Sequence, residues 1–160
     1  MVRRAIVWCS FLVASVPAQS NEILGFKIGA TMDEARSAAA RIKSEMQDVT
    51  LGAASQNYRA FVVSPIGPQI GFCNGKMVSL QIDMSGSFHE FVSALEKNQR
   101  DLGQPRTKPQ QTYAGGKQLS SINLEWPKPD GVLTTLSMWS LGDGKFNTTS
   151  GFFQPNPCSQ

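Results

Sequence analysis

The sequence predicts an α+β domain: an antiparallel sheet covered on one face by two amphipathic helices. Three observations lead there. Two Ser/Thr-x-x-Glu segments, Thr31–Glu34 and Ser87–Glu90, each precede apolar residues at helical spacing. Asn74-Gly75 separates two strand-like runs, and this dipeptide accepts positive φ at both central positions of a hairpin turn. Val78, Leu80, Ile82 and Met84 alternate with Ser79, Gln81 and Asp83, the signature of a strand with one face buried and one face wet.

The elements follow in order. Residues 1–18 read as a cleaved signal peptide. Arg3 and Arg4 supply the positive start, Ala5 to Val16 the apolar run, and Val16-Pro17-Ala18 the small residues before a cut. The apolar run is too short to span a membrane, which takes about 20 residues. Residues 19–160 then form a single α+β domain with a Pro-rich C-terminal tail, exported to the periplasm or secreted, with no membrane insertion after cleavage.

Ile23 to Lys27 reads as a short strand-like lead-in. Thr31 caps a helix whose apolar stripe is Ala35, Ala38, Ala39, Ile42 and Met46. Residues 50–56 are small and polar and read as a loop. Tyr58 to Ser64, Gln69 to Cys73 and Lys76 to Met84 read as strands. Phe88, Phe91, Val92, Leu95 and Leu102 form the apolar side of a second helix, stopped by Gly103 and Pro105. Residues 104–118, rich in Gln, Thr, Pro and Gly, read as a loop. Ile122, Leu124 and Trp126 alternate in a further strand. Val132 to Leu141 runs back from a turn, and Lys145 to Phe153 makes a last strand. Helix, strands, helix, strands also fits a pseudo-repeat of helix-plus-hairpin units.

Composition excludes several classes of function. The chain has 160 residues with 15 Lys+Arg against 12 Asp+Glu, a formal charge of +3. Arg3 and Arg4 lie in the leader, so the mature balance is 13 against 12 and no basic surplus points to nucleic acid. One His and two cysteines after cleavage leave too little for a metal site, and no cofactor motif is present. Gly115-Gly116-Lys117 and Gly142-Asp143-Gly144-Lys145 do not link a strand to a helix as phosphate loops do, and read as turns. No residue is assigned a catalytic role. In an oxidising compartment Cys73 and Cys158 are expected to pair as a disulfide.

The stretch from Gly25 to Ala35, with its Gly29-Ala30-Thr31-Met32-Asp33-Glu34-Ala35 core, resembles the opening of small exported bacterial proteins. The close of the second helix, Leu102-Gly103-Gln104-Pro105, followed by a strand with a Trp, is similar to them too. They include the β-lactamase inhibitor protein type and the small outer-membrane assembly lipoproteins. The resemblance implies helices on one side of an antiparallel sheet and a protein that binds other proteins and catalyses nothing. The chain differs from the lipoprotein members in having no Cys at the cleavage point, and its tail is longer.

The leading expectation is therefore a non-enzymatic module binding an envelope or secreted protein through the open sheet face and the 104–118 loop. Phe72, Tyr113 and Trp139 are its candidate contact residues, because aromatic rings anchor interfaces. With Val78 and Leu80 facing the helices, Phe72 is expected on the open side, and Trp139 falls with Leu133 and Leu141 on one face. Two alternatives stand beside this. One is a small periplasmic thiol enzyme using Cys73 with His89. The other is a carrier with a cavity between the helix layer and the sheet.

Overall fold

A computed structural model describes residues 20–49, 57–65, 67–84, 86–114, 117–140, 145–155 and 158, with no side-chain detail for 112–118. The expected signal peptide, the 50–56 loop and the turns at 115–116 and 142–144 lie outside the described residues.

The chain opens with a two-stranded hairpin, β1 (Glu22–Ile23) and β2 (Phe26–Lys27). Leu24 and Gly25 turn it with φ of 52° and 84°, the double positive φ that matches strand twist. Gly29 N–H donates to the Met77 carbonyl, and Met77 N–H donates to that of Ala30, both at 2.8 Å, tying this lead-in to the main sheet.

Helix α1 (Met32–Arg41) starts on the expected capping box. Glu34 N–H donates to Thr31 Oγ1 at 3.3 Å, and Thr31 N–H donates to Glu34 Oε2 at 2.7 Å. These two contacts satisfy orphan amides of the first turn. The Thr31 N–H, and then its hydroxyl, hold the Glu34 carboxyl below the usual glutamate range. Thr31→Ala is expected to cost about 1 kcal/mol in chemical denaturation. The folded pKa of Glu34 is depressed, so its contribution is present above the ordinary value and is lost as pH falls through the depressed one. Thermal midpoints of wild type and Glu34→Gln should therefore differ at neutral pH and converge in acid. Equal midpoints throughout would remove the carboxylate from the cap.

The helix stops sooner than its apolar stripe predicts. Lys43 takes φ of 54°, Ser44 N–H donates to the Ala39 carbonyl, and Lys43 N–H donates to that of Ala40. This is a Schellman end with lysine in the left-handed position that glycine usually fills. Met46 therefore lies in a strand, β3 (Glu45–Asp48), which the sequence did not predict.

Strands β4 (Tyr58–Ser64), β5 (Gln69–Cys73) and β6 (Lys76–Met84) follow, with Asn74 and Gly75 at φ of 50° and 75° in the predicted hairpin turn. Helix α2 (Phe88–Leu102) comes next. Its Ser87 cap makes no side-chain hydrogen bond, so the second capping-box sequence does not close as one. Then come β7 (Arg106–Ala114), β8 (Lys117–Pro127), β9 (Leu133–Ser140) and β10 (Phe146–Phe153). Residues 106–114 are thus a strand, not the loop expected across 104–118. As an edge strand β7 pairs only with β8, so it tolerates polar residues and Pro109 where a central strand could not. Lys108 and Pro109 also blunt that edge against further pairing.

The main sheet has eight antiparallel strands in the order β3-β4-β5-β6-β10-β9-β8-β7. Each run of four is a meander of sequence neighbours, and β6 meets β10 at the seam, with Gln81 opposite Gly151. Two apolar clusters hold the helices. Ala35, Ala38 and Ala39 of α1 pack with Phe26, Phe61, Val63, Ile70, Phe72, Met77 and Leu80. Phe91 of α2 packs with Leu124, Trp126 and Leu136, flanked by Val92, Leu95 and Met138. Trp126 is buried, and its indole N–H donates to the Gly103 carbonyl at 2.8 Å, fixing the end of α2 on the sheet. A buried indole needs such an acceptor.

Cys73 and Cys158 stand at disulfide distance, with Cα atoms 5.6 Å apart and a sequence separation of 85. The tail reaches Cys73 by running on beside β6, where Gln154 N–H donates to the Val78 carbonyl at 2.8 Å.

Candidate functional site

The strand registers set which side chains share a face. Leu80, Ile82 and Met84 of β6 lie on the side of the apolar clusters, so Ser79, Gln81 and Asp83 lie on the other. Pairing carries this second face across the sheet. Gln81 stands opposite Gln69 of β5 and Gly151 of β10, and Asp83 opposite Thr149. Asn147 stands opposite Trp139 of β9, which in turn stands opposite Ser121 of β8. Farther out, Glu125 receives Lys108 at 2.8 Å, and Asn123 donates to Gln110 Oε1 at 3.3 Å. Toward β4, the Tyr58 ring crosses Gly71, where an added Cβ would strike the Tyr58 and Ser79 side chains.

This face is made of amides and hydroxyls with few charges. A depression of about 270 Å³ lies over β5, β6, β10 and β9. Gln69, Gln81, Asp83, Asn147 and Thr149 line it on the polar side, and Trp139 with Leu119 on the apolar side. The Gln69 amide donates to Asp83 Oδ2 at 3.4 Å.

Of the aromatic residues expected to bind a partner, Trp139 lies on this face and Phe72 does not. Trp139 is 39% exposed there. Phe72 is 2% exposed in the α1 cluster, its ring 5.8 Å from that of Phe61 in an edge-to-face arrangement. It is a core residue. The reversal comes from a β-bulge. Gly71 stands opposite Ser79 but Phe72 opposite Met77, so Val78 is an extra residue on β6 and the alternation flips there. Counting back from Leu80 by twos therefore gives the wrong face for Phe72. Tyr113 is placed on edge strand β7, opposite Gln118, with its side chain outside the described detail.

For the thiol alternative, Cys73 stands at disulfide distance from Cys158, and His89 is exposed at the start of α2. No described group of three His, Cys, Asp or Glu side chains converges as metal ligands. A groove between the β1–β2 hairpin and α1 is larger than the sheet depression, but it is lined by backbone and by charges of both signs. A third cleft lies beside α2. There Lys128 donates to Asn21 Oδ1 at 2.6 Å and sits 4.9 Å from the Phe152 ring centre, and burial pushes its ammonium group below the usual lysine range. Asn21 also donates to Asp130, so these contacts staple the lead-in to the β8–β9 turn.

No protein-family model, no curated protein and no solved structure matches this chain.

Tyr58, Phe153 and the amide pair Gln69 and Gln81 were not singled out by the sequence pattern. Phe153 stands opposite Leu133 and Ser79, and is 38% exposed. The signal for it was the alternation in 147–153, where Asn147, Thr149, Gly151 and Phe153 share one face. Among the described residues no helix is long and apolar enough to cross a membrane.

Proposed function

We propose that this chain is an exported, non-catalytic protein that binds another protein through the sheet face turned away from its helices. The observation that carries the reading is the composition of that face. An eight-stranded sheet bears amides, hydroxyls and exposed rings on one side and packs both apolar clusters on the other. A broad face of adaptable polar groups around a few rigid aromatic anchors suits recognition of a protein surface. The sheet is wide enough to offer a contact of standard size, and its strands fix the side chains in place before binding.

On this reading both helices cover one face and leave the other open, and the two halves are copies of one unit. The copied unit is a helix followed by a four-stranded meander, longer than the helix-plus-hairpin the sequence suggested. The resemblance to small exported bacterial proteins implies the same layout and the same kind of activity. The leader sequence and the paired cysteines support a periplasmic or secreted location. The contact surface moves from Phe72 to Trp139 and its amide neighbours, with the β7–β8 hairpin in place of the expected loop.

The test places photo-crosslinking residues at Gln81 and Thr135 on this face, and at Arg36 on α1, in the cell of origin. Face positions should join the chain to one partner protein, and Arg36 should not. With that partner purified, Trp139→Ala is expected to weaken binding about 30-fold, the scale of an aromatic hot spot of about 2 kcal/mol. Thr149→Arg should weaken it more, with unchanged thermal stability. Equal binding by both variants would move the interface elsewhere.

A further inference from the structure

We infer that the depression over the β6–β10 seam is a receptor for a guanidinium group, an arginine side chain carried by the partner protein. This rests on the protein-binding reading above and names what the face would grip.

Asp83 is the one carboxylate lining the depression, and the rest of the wall is neutral. It takes part in no ion pair among the described residues, and its contact there is the Gln69 amide. Two other carboxylates on the sheet are matched, Asp48 by Arg59 and Glu125 by Lys108, and neither lines the depression. A negative charge left unmatched in an amide-lined hollow calls for a cation from outside. Trp139 supplies the second half of the site, because a cation over an indole face is attracted by the ring's quadrupole.

The spacing selects a planar cation. Trp139 stands opposite Asn147, and Asp83 opposite Thr149, two strands away and two residues along. Strand spacing and rise put their Cα atoms about 12 Å apart. A flat group lying between those positions can meet an indole on one side and a carboxylate on the other. Guanidinium can stack on the ring while its forked N–H donors meet the carboxylate. Its remaining donors would find the Gln81 and Asn147 side-chain oxygens. An ammonium group lacks the plane and the fork.

The test uses the oxidised full-length mature chain, isotope-labelled, titrated with N-acetyl-arginine amide at constant ionic strength. The readouts are the Trp139 indole N–H and the Gln69 and Gln81 side-chain amides in NMR spectra. Saturable shifts of all three are expected in the millimolar range. The citrulline analogue, equal in shape but uncharged, should bind about fivefold more weakly or worse, the value of one exposed ion pair. Asp83→Asn should remove that difference. Absence of saturable shifts, or equal response to citrulline, would overturn the proposal. So would binding of a neutral oligosaccharide that Asp83→Asn leaves intact, which would assign the ring and amides to a sugar. The two readings fail separately. If Thr149→Arg abolishes partner binding and Asp83→Asn leaves it unchanged, the interface stands and the arginine proposal falls. If arginine amide binds as expected but Thr149→Arg captures the partner normally, the cleft chemistry stands and the interface reading falls.

Discussion

Replacing Gly151 with alanine is expected to destabilise the protein by more than about 3 kcal/mol, beyond the usual range for one added methyl group in a packed core. Strand preference alone predicts the opposite sign, since glycine weakens a strand interior. Packing decides the matter. A Cβ at position 151 would lie 2.8 Å from Gln81 Cα and 3.0 Å from the Leu80 carbonyl carbon, with the Leu80 oxygen closer still. These are backbone atoms of the neighbouring strand and cannot swing aside. Strand β10 is also held on its other edge by β9, so it cannot retreat from β6 without breaking a second ladder. The measurement is the urea midpoint of Gly151→Ala against Thr149→Ala, a truncation on the same strand that should cost less than about 1 kcal/mol. A Gly151→Ala midpoint at the wild-type value would mean that the seam is looser than its geometry.

Loss of the Cys73–Cys158 link is the second large effect. Closing a loop of 85 residues restricts the unfolded chain by about 4.5 kcal/mol in the chain-entropy treatment. For a domain of this size that is a drop of about 10 °C or more in Tm. Calorimetry of the native protein with and without reductant, and of Cys158→Ser, should give the same shift. Intact mass should show a chain beginning near Gln19 that resists alkylation until reduced. A shift of less than about 3 °C would mean that the tail is held mainly by its backbone bonds to β6. Prompt alkylation without reduction would return Cys73 to the list of reactive groups.

The strands whose residues alternate against water were legible in the sequence. Leu80 to Met84 and Ile122 to Trp126 fall where their patterns put them, as does the Asn74-Gly75 turn. The capping box at Thr31 was legible because cap and first turn are local in sequence. What failed was set by geometry that pattern does not carry. Lys43 closes a helix in a conformation normally marked by glycine. Strand β7 has no apolar alternation, because an edge strand is stabilised mainly by its one neighbour. A single extra residue, Val78, turned Phe72 from a surface prediction into core. The candidate site was half legible. Trp139 could be assigned to the wet face from its own strand. Asp83 and Gln69 became partners only through the pairing of β5 with β6.

The strand order also bears on the sequence of events in folding. Within each run of four, every pairing joins strands that follow one another along the chain, so closing each loop costs little entropy. The β6–β10 ladder is different: its partners, such as Leu80 and Phe152, are separated by nearly half the chain. Contacts that distant are slow to find. The strand order therefore predicts that the two meanders zip before they dock along the seam. The depression proposed to receive a partner lies across that seam, so on that order it is completed only with the last contacts made.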